Sequence, residues 1–339
     1  MQSKNRISAP RRSGPAASVA WPRVVARGIT SRRRNNSHRI LACLGCLLVL
    51  STLLAPLATG AEPQKKLFRV GFSRSMFANI NENDAMAAVK VWSAIIAKER
   101  GVPTDPTPRV YNDLQDIRQA LTAKAVDSIA LNTDEYWKLR PLLDDKVFIV
   151  GSSDKSFTEE YIVLVHKDSK IRRIQDLRDR RLTFYANPRM TLAPIWLDTV
   201  LMKEGLPASQ GFFRVTNTSK ITKVVLPVFF RQTDACVVSR KSFKTMCDLN
   251  PQLGQHLKVI LSSPAMVPSG FCFRRGYNDS IRDLIITELV SVMGSASGNQ
   301  MMTLFQQGHF EAKPLSCLDS AFELLATHER LMAKAKTKP

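Results

Sequence analysis

The sequence predicts an α/β protein of two lobes, each a mostly parallel sheet flanked by helices, with the lobes joined by two crossover strands. Three observations predict it. From residue 67 to about residue 139, short apolar runs alternate with longer segments of helical periodicity. After residue 171 the same alternation begins again. Past about residue 260 the chain holds one strand-like run and a few helical segments, too little for a third domain, so this tail is expected to complete the first lobe. The expected division is therefore 62–160 with 260–339 in one lobe and 161–259 in the other.

The elements follow in order. Leu67–Phe72 (LFRVGF) is a short apolar run and reads as a buried strand. A polar loop follows, and then DAMAAVKVWSAIIAKER places Ala85, Ala88, Val89, Trp92, Ile95 and Ile96 on one helix face. Asn83 or Asp84 is expected to cap its start, and Gly101 with Pro103 to end it. A strand at Arg109–Tyr111 leads to a helix capped by Asp113, and a strand at Asp127–Leu131 to a helix capped by Thr133. KVFIVG and YIVLVHKDS are two further strands. In the second set, RLTFYAN is a strand, a helix covers about 192–204 and stops at Gly205, and strands at 212–215 and 234–238 flank a helix near 219–231. A helix at 241–249, the strand LKVILSS, the run FCFRR, helices across 279–307 and a terminal helix from about 316 complete the chain. Trp92 and Trp196 lie on apolar helix faces and are expected in the core.

The formal charge of +20 divides unevenly. Ten of the 49 Lys and Arg residues lie in residues 1–39, where no acid occurs, so half of the net charge belongs to this leader. After it come the apolar run ILACLGCLLVLSTLLAPLA and the small residues Ala58-Thr59-Gly60-Ala61. A basic zone, an apolar zone and small residues are the order of a secretory signal, expected over residues 1–61 with cleavage after Gly60 or Ala61. An uncleaved membrane anchor is the competing reading, because the run approaches a short spanning length. Export permits disulfides. Of Cys236, Cys247, Cys272 and Cys317, the pair Cys236–Cys247 across a strand-to-helix step is the favoured bridge, with buried free thiols as the alternative.

The order LFRVGF, a helix, VDSIALNTDEY, YIVLVHKDSKIRRIQDLRDRRLTF and TDACVVS resembles the phosphonate, phosphite and phosphate-binding proteins of ABC importers, over nearly all of 66–330. The most specific pieces are the hinge segment Asp168-Ser169-x-Ile171-x-x-Ile174-x-Asp176-Leu177 and the aspartates Asp127 and Asp234, each between a helix and a strand. The resemblance implies the two-lobed periplasmic-binding-protein fold of type II, closing on a small anion in the cleft. Such a scaffold suits anions, because helix amino termini at the carboxyl ends of strands aim free N–H groups into the crevice. In the family a Ser-Thr-Ser-Gly stretch at a helix start grips the anion. The matching positions here are Met190-Thr191-Leu192-Ala193, so only Thr191 matches, and Arg189 and Lys220 are the expected compensating donors.

The remaining candidate ligand-binding residues come from loops at strand ends. Ser73, Arg74, Ser75 and Met76, with Phe77 and Asn79, follow the first strand; Asn132 and Thr133 follow the third; Tyr136 stands where the family often places a ligand-facing tyrosine. Ser239 and Arg240 follow DACVV. No cofactor and no metal is expected, since the mature histidines His166, His256, His309 and His328 are scattered singly. Motifs for zinc proteases, phosphate loops, serine hydrolases and dinucleotide binding are absent, so an enzyme is not expected. With no dense basic run interleaved with aromatics, neither is nucleic-acid binding. The expected partners are a small anionic ligand and an inner-membrane ABC permease, or in the second reading a membrane sensor, with the protein a periplasmic monomer. An exported enzyme on this fold is the third reading.

Overall fold

The computed structural model describes residues 67–77, 81–152, 156–277, 279–291, 299 and 308–336. The leader and Asn79 lie outside the described residues, as do the side chains of Trp92, Ile95 and Ile96. The first sheet has six strands: β1 (Val70–Ser73), β2 (Arg109–Tyr111), β3 (Ser128–Asn132), β4 (Val147–Ser152), β10 (Ser269–Phe273) and β11 (His309–Pro314), in the order β11-β4-β10-β3-β1-β2. The second has five: β5 (Tyr161–His166), β6 (Arg181–Tyr185), β7 (Arg214–Thr218), β8 (Ala235–Ser239) and β9 (Leu257–Ser262), in the order β7-β6-β8-β5-β9.

Both sheets are mixed. β1 pairs parallel with β2 and β3, and β6 pairs parallel with β7 and β8. The strands next to the crossovers run the other way: β10 is antiparallel to β3 and β4, and β5 to β8 and β9. The reason is topological, since a strand entering from the other sheet starts at the end where the parallel strands finish. β11, which no sequence signal marked, is antiparallel to β4 at the edge. Its alternation of buried Phe310 with charged Glu311 and Lys313 is too short to stand out.

Around the sheets, α1 (Glu82–Arg100), α2 (Leu114–Thr122) and α3 (Thr133–Leu139) belong to the first half of the chain. α4 (Leu192–Lys203), α5 (Ser209–Phe212), α6 (Ile221–Phe229), α7 (Arg240–Leu249) and α8 (Pro251–His256) follow, then α9 (Asp279–Ser291) and a C-terminal helix, Asp319–Lys336. α1 begins earlier than expected, capped by Asn81, whose side chain accepts from Asn83 N and Asp84 N. Asp113 caps α2 as expected, accepting from Gln115 N and Asp116 N. Gly101 ends α1 in the left-handed region, with φ of 69°, where a Cβ would be strained.

Each sheet is covered by apolar side chains on both faces. On the second sheet, Tyr161 and Val163 face Trp196 and Leu197, while Ile162 and Leu164 face Val224, Val228 and Met246. Trp196 is a core residue, only 3% exposed. The C-terminal helix touches both halves: Ala321 and Leu325 join the cluster around Trp196, and Phe322 packs on the cluster around Tyr136 and Phe148. Buried charges are paired. Asp127, 1% exposed, accepts from the Arg69 guanidinium at 2.9 Å and lies 3.5 Å from Arg274.

Two sequence expectations are corrected. Cys236, Cys247, Cys272 and Cys317 are all free thiols, so no Cys236–Cys247 bridge forms; Cys236 is sealed in the β8 core and its thiol pKa is raised by burial. The segment Asp168–Leu177 does not act at the hinge. It follows β5 at the end opposite the crossover, where Asp176 accepts from the N–H groups of Arg172 and Arg173 and Ile171, Ile174 and Leu177 are buried.

Candidate functional site

The two sheets meet where the chain crosses between them. The outgoing and returning passages lie side by side, with Glu159 N donating to Met266 O at 2.7 Å and Met266 N to Glu159 O at 2.9 Å. Tyr161 at the start of β5 pairs with Ser239 at the end of β8, and Ser269 at the start of β10 pairs with Asn132 at the end of β3. The carboxyl ends of the parallel strands in both sheets therefore face the crossover. That is the position at which open α/β sheets take ligands.

On the first sheet, Ser73, Ser75 and Asn132 are drawn together, but around a residue not foreseen. The Ser73 hydroxyl donates to Glu135 Oε1 at 2.7 Å and the Ser75 hydroxyl to Glu135 Oε2 at 3.0 Å. Asn132 donates its backbone N–H to Glu135 Oε2 at 3.0 Å and its side-chain amide to Ser75 Oγ at 2.9 Å. Burial raises the Glu135 pKa, and the bonds from Ser73 and Asn132 pull it back only in part. Both serine protons are spent on this carboxylate.

The other first-lobe candidates do not join them. Arg74 is exposed and ion-paired with Glu82 at 3.0 Å, and Met76 packs against the Phe72 cluster. Thr133 is the first residue of α3 rather than its cap, and its hydroxyl donates to Val267 O at 2.7 Å. Tyr136 is a core residue, 1% exposed between Phe148 and Phe322, and its hydroxyl donates to Asp144 O at 2.7 Å. It presents nothing to the cleft.

On the second sheet, the turn Pro188–Met190 precedes α4. The Asn187 side chain accepts from Arg189 N at 2.9 Å, which sets the turn. The Arg189 guanidinium donates to Glu159 Oε1 at 2.5 Å, and Tyr161 donates its hydroxyl to Arg189 O at 3.0 Å. Burial raises the Tyr161 pKa, while the Leu192 N–H at the start of α4 bonds the same hydroxyl. The Thr191 hydroxyl is buried and has no partner among the described residues.

Ser239 caps α7, accepting from Ser242 N at 3.1 Å and donating to Ser242 Oγ at 2.9 Å, so its polar groups are used within the helix start. Arg240 next to it donates to both oxygens of Glu160, at 2.6 and 2.8 Å, and the bond lowers the Glu160 pKa. Lys220 stands exposed before α6, with its backbone N–H 3.4 Å from Thr218 Oγ1, and no side-chain bond links it to Arg189 or Thr191 among the described residues. Beside the crossover is a cavity of about 530 Å³, lined by Ser156, Thr158, Glu159, Glu160 and Ala265 and by Arg240, Lys241, Lys244, Thr245 and Asp248 of α7. This volume is that of a small-molecule site.

Three donor groups in the cleft are thus each held by a glutamate: Ser73 and Ser75 by Glu135, Arg189 by Glu159, and Arg240 by Glu160. The sequence carried a faint signal for them. Glu135 stands three residues after Asn132 as in a capping box, and Glu159-Glu160 is a charged pair set directly against an apolar strand. One Ser-His-acid arrangement also occurs, Ser152–His309–Glu311. The Ser152 hydroxyl lies 2.7 and 3.0 Å from the two ring nitrogens, so it faces the carbon between them, and Ser152 is fully buried. It ties β4 to β11 and is not placed as a nucleophile. Among the described residues no His, Cys, Asp or Glu cluster could hold a metal ion, and no helix is long and apolar enough to cross a membrane.

Comparison with known proteins agrees with this architecture. No curated protein sequence is significantly similar to the chain. Among solved structures, it is similar to a binding protein component of an ABC phosphonate transporter from Pseudomonas aeruginosa, with a TM-score of 0.53, 14% identity, and 81% of this chain and 90% of that chain covered. It is also similar to a Xanthomonas citri protein bound to ATP, with a TM-score of 0.57, 13% identity, and coverage of 79% and 98%. At these identities the likeness shows the fold alone, the two-lobed α/β fold of periplasmic binding proteins. The family described as ABC transporter, phosphonate, periplasmic substrate-binding protein matches residues 75–314, most of the chain. The chain therefore belongs to the family of phosphonate substrate-binding proteins of ABC transporters, whose task is to bind a ligand rather than convert it.

Proposed function

We propose that this protein captures a small anionic solute in the cleft at the crossover and hands it to an inner-membrane ABC permease. The observation that supports the reading best is the cavity beside the crossover, whose lining brings Arg240, Lys241 and Lys244 of α7 together with the hydroxyl residues Ser156, Thr158 and Thr245, beside the acids Glu159, Glu160 and Asp248. A phosphonate, phosphate or similar acid fits such a wall: its oxygens accept from ammonium, guanidinium and hydroxyl donors, and these charge-assisted bonds are the strong ones. The neighbouring start of α4 adds the Thr191 hydroxyl, buried and unpartnered among the described residues. Two chain passages joining two rigid sheets make a hinge about which the lobes close and exclude water. In this reading residues 1–61 are a secretory signal, the protein works in the periplasm, and it acts as a monomer that docks on its permease.

The experiment is thermal melting of the purified protein with phosphate, phosphite, alkylphosphonates, sulfonates and carboxylates. A ligand at a hundred times its dissociation constant stabilises by about 2.7 kcal/mol, a shift of several degrees. Stabilisation by phosphorus oxyanions that is lost in Lys244→Ala carries the reading; no shift with any acid of the panel overturns it.

A further inference from the structure

We propose that Glu159 is a specificity-determining residue of the cleft, a resident counter-anion that competes with an incoming anion for Arg189. The inference rests on the reading of the crossover cleft as the ligand site. Arg189 is the cation at the turn before α4, two residues from the buried Thr191 hydroxyl, which is unpartnered among the described residues. Its guanidinium is already committed. Glu159 Oε1 accepts from Arg189 Nε at 2.5 Å, and Glu159 is 3% exposed, so the pair is formed largely out of water.

Glu159 is the link between the cavity and Arg189, which does not itself line it. Glu159 lines the cavity beside the crossover, and the turn that carries Arg189 is fixed independently of the ion pair. Asn187 accepts from Arg189 N, and Tyr161 donates to Arg189 O. The backbone therefore stays in place while the guanidinium chooses between acceptors. A buried carboxylate beside the guanidinium supplies the charge that a ligand oxyanion would bring, and a second anion entering there meets like charge at short range. The same arrangement recurs twice in the cleft, with Glu135 on Ser73 and Ser75 and Glu160 on Arg240. An oxyanion binds only as far as it outcompetes these internal acceptors, so the site discriminates against weakly basic, singly charged acids.

The test is the affinity of the purified protein for phosphate, methylphosphonate and sulfate by titration calorimetry, in wild type and Glu159→Gln. Glutamine keeps the size and one acceptor oxygen but removes the charge. The expected result is affinity raised in Glu159→Gln, at least about tenfold for the weakly basic sulfate and less for phosphate and methylphosphonate, with the gain abolished in the double variant Glu159→Gln/Arg189→Gln. Near-ultraviolet circular dichroism verifies the fold, and Glu159→Asp, which withdraws the carboxylate by one methylene, gives a smaller gain if Glu159→Gln does not fold. Unchanged or weaker binding in the folded variant, or a gain that survives without Arg189, overturns the proposal. If the wild type binds oxyanions and Glu159→Gln binds them no better, the proposal fails and the anionic-ligand reading stands. If only Glu159→Gln binds them, the proposal stands and that reading fails; if neither binds, both fail.

Discussion

The Ser73 hydroxyl donates to the Glu135 carboxylate at 2.7 Å, joining the end of β1 to the start of α3. Because Ser75 donates to the other oxygen of the same carboxylate, both serines behave as parts of an internal network. Burial raises the Glu135 pKa, which gives this contact a pH dependence. A carboxyl whose folded pKa is raised holds its proton more tightly when folded. Its contribution to stability is therefore full below the ordinary glutamate range and is lost as pH rises through the raised folded value. Melting temperature should fall across that window in the wild type. Glu135→Gln, which preserves a capping side chain, should flatten the fall; identical pH profiles for the two proteins would remove Glu135 as the cause.

Asp127 and Arg69 form the corresponding tie beneath the first sheet. The carboxylate is 1% exposed and accepts from Arg69 Nε, Nη2 and backbone N, at 2.9, 2.9 and 3.1 Å. Asp127→Ala leaves Arg69 and Arg274 facing each other without a counter-charge. Breaking a buried pair from one side costs about 3–5 kcal/mol, so urea unfolding should show a loss of that order. A loss below about 1 kcal/mol would mean that the pair is solvated in solution.

Tyr136 should matter to stability and not to binding. Its hydroxyl donates to Asp144 O inside the core, so Tyr136→Phe leaves one buried carbonyl short of a donor, at a cost of about 1–3 kcal/mol. Ligand affinity of the folded variant should match wild type. A selective loss of affinity without a loss of stability would return Tyr136 to the cleft.

The free thiols make a prediction of their own. Cys236 and Cys272 are fully buried, and burial raises both thiol pKa values. Both should resist a thiol reagent in the native protein and react on denaturation, and a reducing agent should leave the melting temperature unchanged. A drop of several degrees on reduction would reveal a disulfide.

Much of the fold was legible because it rests on local periodicity. The strand at Arg109–Tyr111, the cap at Asp113 and the stop after α4 at Gly205, with its φ of 69°, are dictated by residues within a few positions of one another. The reversed direction of β5 and β10 was not legible, because strand direction depends on which sheet a strand enters and from which end. Of the candidate site, the polar residues at the strand ends were legible in the sequence, but the internal partners of their side chains were not. Ser73, Ser75, Arg189 and Arg240 were read as donors for a ligand, and each proved to be bound to a glutamate.

The alternation of strand and helix, the restart that makes two sheets and the family resemblance are all properties of the residue order. Each of these is written in patterns of neighbouring residues. Which acid meets which donor is fixed by the assembled fold. Glu135 lies 62 positions from Ser73, Glu159 lies 30 from Arg189 and Glu160 lies 80 from Arg240. Such pairings follow from the register of strands and the course of the crossover, which bring distant residues within hydrogen-bond reach once the sheets are assembled.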